Sequence, residues 1–151
     1  MKTLSMSKFH ASLCAAVLAI ASLSTTSYAQ RTDTLAKVNV PFGFEFGSQH
    51  FVAGVYTVRM LSEHLLSING KSNNGLALVM RDTNLKPSTE GKVIFRRYND
   101  RFYLREVWQP NETEHLQCIK TKDERRAERT VLASNPVHAT NVELALLETP
   151  R

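Results

Sequence analysis

Arg96, Tyr98, Arg101, Tyr103 and Arg105 are the residues whose types and spacing come nearest to a binding chemistry. They lie in VIFRRYNDRFYLREVW, from Val93 to Trp108, which packs four arginines and five aromatic rings into sixteen residues. Asn99-Asp100 reads as a two-residue hairpin turn. That turn pairs Tyr98 with Arg101, Arg96 with Tyr103 and Ile94 with Arg105. All five residues then share one face. Arginine forks set over tyrosine rings can hold carboxylate, phosphate or sugar groups. The same face can also be a solvated sheet surface, because cross-strand Arg–Tyr pairs stabilise hairpins by themselves. Val93, Phe95, Phe102, Leu104 and Trp108 share the other face and read as core. A one-residue shift in the ladder would flip each assignment.

Glu106 falls on the apolar face in this register, opposite Val93 and near Trp108. A buried carboxylate there, working with a histidine, is the one acid/base pair the sequence offers. His50, His64, His115 and His138 are not at i, i+2 or i, i+4 from one another, so their spacing supports no metal site. No Gly-rich phosphate loop and no Gly-x-Ser-x-Gly elbow occurs. No catalytic residue, metal or cofactor is assigned.

The first 29 residues read as an export signal. Lys2 and Lys8 precede an apolar run, Leu13 to Leu23, and Ser27-Tyr28-Ala29 offers small residues at −3 and −1. Cleavage after Ala29 would leave 122 residues, enough for one domain with a moderate core. Cys14 sits inside the signal, so Cys118 is the single cysteine of the remaining chain. It cannot form an internal disulfide, and it reads as a small buried apolar side chain, with pairing between molecules or catalysis as the alternatives. The 19 Lys and Arg less Lys2 and Lys8 leave 17 against 14 Asp and Glu, a net +3. That is far from the excess of a nucleic-acid-binding domain. No later segment is apolar enough to span a membrane.

The hairpin must be held by other strands. Ala36, Val38, Val40, Phe42, Phe44 and Phe46 alternate with polar or small residues, the signature of a strand with one wet face. Pro41 places that strand at an edge or bends it. Val52, Tyr56, Val58 and Met60 line a second strand. Leu65 to Ile68, ending at Asn69-Gly70, and Leu76 to Met80 supply two more. A loop from Asp82 to Gly91 leads into the hairpin, and a short strand follows near Leu116 to Ile119. The expected fold is mainly β: a small antiparallel meander barrel or sandwich of about seven strands with one C-terminal helix.

The helix should run from about Lys122 to Leu132. Thr121 and Glu124 form a capping-box pattern, and Ser134-Asn135-Pro136 ends it. Ala127, Val131 and Leu132 alone could face the body. Its charges are mixed in sign, so it reads as a surface helix laid over a barrel edge or end. The domain thus spans 30–133. In the tail, 134–151, Val142, Leu144 and Leu146 alternate, but a helical turn fits as well.

The set Pro41-Phe42, Gly54 to Val58, Arg97 to Trp108 and Ala127-Glu128-Arg129 resembles a family of small exported bacterial proteins of unassigned function. The likeness runs from about Val38 to Arg129. It implies a mostly-β exported domain and brings no activity, cofactor or site residues.

Three functions remain open. The first is a non-enzymatic binding or envelope-interaction module, periplasmic or extracellular, for a small amphipathic or anionic ligand or an envelope component. The second is a hydrolase of envelope or extracellular polymers using Glu106 and a histidine. The third is a structural envelope component that acts as an oligomer.

Overall fold

The computed structural model describes residues 33–84, 86–134 and 139–147. The expected export signal 1–29, His138 and the residues just after the helix lie outside them. The described chain is mainly β with one helix near its C-terminus, the class the periodicity implies. Ten strands form it: β1 (Asp33–Val40), β2 (Phe44–Phe46), β3 (Gln49–Phe51), β4 (Gly54–Ser62), β5 (Leu65–Asn69), β6 (Asn74–Thr83), β7 (Lys92–Tyr98), β8 (Arg101–Trp108), β9 (Glu114–Cys118) and β10 (Ala139–Ala145). Helix α1 (Lys122–Ser134) lies between β9 and β10.

The strands make one open, mixed sheet rather than a plain meander. Its path runs β1-β4-β5-β6-β9-β8, continuing through β7 to β10 on one branch and through β2 to β3 on the other. β9 pairs with β8 only from Glu106 to Trp108. β2 meets the first half of β8 instead, in a parallel bridge between Glu45 and Tyr103. The sheet curls until its far ends approach, where the Leu147 amide donates to the Lys37 carbonyl at 2.7 Å.

Three differences from the expected strands have local causes. Pro41 bends the first strand, so the alternating run splits into β1 and β2 while its apolar row stays inside. Val52 falls in the break before β4 and is exposed, not part of that strand's inner row. The run Val142, Leu144, Leu146 is strand: β10 pairs with β7 along its whole length, from Ala139↔Tyr98 to Ala145↔Lys92.

Aromatic rings fill the centre. Phe44 stacks on Phe51 at 5.2 Å and meets Phe95 and Tyr56 edge-on at 5.2 Å each. Phe42 stacks on Phe102 at 4.1 Å. Offset and edge-on ring pairs add about 0.5–1.5 kcal/mol each beyond the area they bury. A second, smaller apolar cluster, Tyr98, Tyr103 and Val131, lies on the other side of the β7–β8 hairpin and glues α1 to it.

Candidate functional site

The Asn99-Asp100 turn fixes the hairpin as the sequence implies. Asn99 takes the left-handed conformation (φ 54°), Tyr98 pairs with Arg101 and Arg96 with Tyr103. Further from the turn the ladder departs from that reading. Phe95 pairs with Leu104, but Ile94 pairs with Glu106, so Arg105 is an extra residue in a β-bulge. A bulge moves everything beyond it to the opposite face. Glu106 and Trp108 therefore leave the core row, and Val107 takes the inner position opposite Val93.

α1 covers the Arg/Tyr face. The Tyr98 and Tyr103 rings meet at 5.7 Å and 62° under buried Val131 and half-buried Ala127. The Tyr98 hydroxyl donates to Glu128 Oε1 at 3.1 Å, and Lys120 Nζ donates to the same oxygen at 2.6 Å. Burial, then the Glu128 carboxylate, pushes the Tyr98 phenol up to about 12. The Lys120 hydrogen bond holds the Glu128 carboxyl below its usual range. Arg105 reaches under the start of the helix. Its guanidinium donates to the Cys118 carbonyl, and its Nε lies 3.4 Å from Glu124 Oε1. Glu124 is buried, and desolvation raises its pKa against the pull of Arg105.

The five predicted residues thus divide between contact with the helix and the rest of the hairpin surface. Tyr98, Tyr103 and Arg105 anchor the helix. Arg96 donates to Asn141 of β10 at 2.7 Å. Arg101 is the one of the five that is fully exposed, at the hairpin tip. Leu132, expected to face the body, points outward.

Half of the capping box forms: the Glu124 amide donates to Thr121 Oγ1 at 3.1 Å. Its carboxylate is directed to Arg105 instead. This matters for the field around α1. Glu124 and Glu128 both turn inward to cationic partners, which leaves Lys122, Arg125, Arg126 and Arg129 on the exposed side with one acid, Asp123. These four line one shallow surface depression of about 390 Å³. A neighbouring groove of about 460 Å³ joins Arg126 to Arg101 and the turn, with Asp100 and Asp123 on its walls. By composition alone the helix charges are mixed; the i, i+3, i+4, i+7 spacing of the four cations is the signal that separates them.

Glu106 accepts from Trp108 Nε1 at 2.8 Å. Trp108 stacks on His115, with ring centroids 4.0 Å apart and planes 5° apart. His115 Nε2 is 3.9 Å from both Glu106 Oε2 and Asp82 Oδ2, too far for a hydrogen bond to either. Lys92 Nζ sits 5.9 Å from the indole centroid, and bonds Glu143 at 2.8 Å. The indole is buried by its neighbours. Cys118 is buried, and burial pushes its thiol up to about 12.

No family model, curated protein or solved structure matches this chain. No described helix is long and apolar enough to cross a membrane.

Proposed function

We propose that this domain is a non-enzymatic binding module, exported by its N-terminal segment, that docks on anionic groups through the outer face of α1. The ligand chemistry is phosphate or carboxylate, carried by an envelope lipid or by an extracellular polymer. One observation carries the reading: the helix sorts most of its charges. Two of its three acids turn inward to Arg105, Lys120 and Tyr98, while four cations and a single acid, Asp123, stay on the exposed side. A merely solvated helix has no need of that separation. The helix has no broad apolar face for insertion, so binding is electrostatic and salt-sensitive.

The test is co-sedimentation with vesicles of phosphatidylglycerol and phosphatidylcholine, beside titration calorimetry with soluble polygalacturonate. Lys122→Gln, Arg126→Gln and Arg129→Gln are combined in one variant. Each cation near an anionic surface contributes about 1 kcal/mol, so the triple variant should bind about 100-fold more weakly. Vesicle binding alone identifies a lipid headgroup as the source, and polymer binding alone identifies the polysaccharide. Binding to neither, or binding that the triple variant keeps, overturns the proposal.

A further inference from the structure

The outer face of the β4–β5–β6–β9 part of the sheet is apolar where a solvated sheet would be polar. β6 alternates cleanly: Ala77 and Val79 point into the core, while Leu76, Leu78 and Met80 are 56%, 58% and 51% exposed. Cross-strand neighbours extend the patch. Leu65 pairs with Leu78 on one side. On the other, the Ile119 amide donates to the Leu78 carbonyl at 2.9 Å, which sets Ile119 beside Leu78. Leu61 borders the same surface as Leu76. The positions between them, Ser67 and Gln117, are uncharged.

We infer that this face is where two copies of the chain pair, β6 across β6, about a two-fold axis. Two observations select a second copy as the occupant. The first is size. Leu61, Leu76, Leu78, Met80 and Ile119, each at least 39% exposed, present on the order of 450 Å² of apolar surface. A standard interface takes about 800 Å² from each partner, of which a little over half is non-polar. The patch therefore matches the apolar share of one such interface.

The second is charge at its two ends. Arg59 stands level with Leu76, through the ladder Arg59–Ser67–Leu76, and makes no ion pair with a described residue. Asp82 stands beyond Met80 at the other end, with its side chain 61% exposed. A two-fold axis crossing β6 near Leu78 lays the strands antiparallel. It sets the Arg59 end of each copy against the Asp82 end of the other, twice over. Self-complementarity of this kind is what an isologous contact requires. Cys118 lies beneath the sheet and is not needed as a link.

Sedimentation equilibrium of the purified protein from about 1 to about 300 µM measures the pairing. The expected result is a reversible monomer–dimer equilibrium. Leu78→Lys should be monomeric over the same range with an unchanged far-UV spectrum, since the side chain lies outside the core. Arg59→Asp and Asp82→Arg should each weaken the dimer at least about tenfold, and the double swap should restore it. A protein that stays monomeric overturns the inference, whatever else then covers the face. A dimer that Leu78→Lys leaves intact, or single swaps without rescue, overturns it as well.

Discussion

Arg105 and Glu124 form an ion pair with Nε 3.4 Å from Oε1, and both side chains are almost wholly shielded from water. The bulge places Arg105 there, and the first turn of α1 brings Glu124 to it. Removing one partner strands the other. Arg105→Ala should cost about 3–5 kcal/mol, because it leaves a buried carboxylate without its cation. Glu124→Gln keeps the shape and should cost about 1–3 kcal/mol. The double variant Arg105→Met with Glu124→Leu should be more stable than Arg105→Ala, since it buries no charge. Urea unfolding checks this; with the matching singles Arg105→Met and Glu124→Leu added, additive losses in the double variant would show that the two residues do not act as a pair.

Much of this was legible in the sequence. The Asn99-Asp100 turn sets Tyr98↔Arg101 and Arg96↔Tyr103, and both pairs are present. The apolar row from Ala36 to Phe46 is inside. What escaped was decided at long range. No Gly or Pro marks the bulge at Arg105, yet one extra residue turned Glu106 and Trp108 outward. Three alternating residues could not choose between strand and helix at Val142 to Leu146; pairing with β7, far back in the chain, chose for them. The inward turn of Glu124 and Glu128 depended on where Arg105 and Lys120 lie, which periodicity does not report.

Cys118 should be chemically silent in the folded protein. Its thiol, ordinarily near 9, is pushed up to about 12 by burial. The sign follows from linkage. A raised folded-state pKa contributes stability that is complete below pH 9 and is lost as pH rises from 9 through about 12. Tyr98, raised from 10 to about 12, adds to the same alkaline loss. Unfolding free energy should therefore fall steeply above pH 9, and less steeply in Cys118→Ala. At pH 8 a thiol reagent should modify Cys118 only at the rate of unfolding. Fast labelling of Cys118 in the native protein would contradict the buried assignment.

Glu106 tests the hydrolase alternative. It accepts the Trp108 indole N–H at 2.8 Å, and that bond orients the ring stacked on His115. Glu106→Gln retains an acceptor for the indole, so it should cost at most about 1 kcal/mol in stability. Glu106→Ala leaves a buried donor unpaired and should cost about 1–3 kcal/mol, with a shift in the emission of the chain's single tryptophan. Binding to vesicles or polygalacturonate should be unchanged in both. A polymer-cleaving activity in the wild type that Glu106→Gln abolishes would favour the enzyme.

Gly47 is the backbone position that the β2–β3 hairpin depends on. It holds φ +58°, and a Cβ added there would lie 2.6 Å from the Leu76 carbonyl oxygen. Two separate obstacles follow, and two variants separate them. Gly47→Ala meets both the left-handed strain, about 1–2 kcal/mol, and the clash with β6. Gly47→Asn tolerates the left-handed conformation, as Asn99 and Asn111 do at φ 54° and 63°, but still carries the Cβ. If the clash governs, both variants should melt roughly 5–10 °C below wild type. Asn99→Gly is the control: its turn needs only the backbone conformation, so its melting temperature should stay within a few degrees of wild type. An Asn variant at 47 as stable as wild type would show that the approach to Leu76 relaxes freely, and that conformation alone holds glycine there.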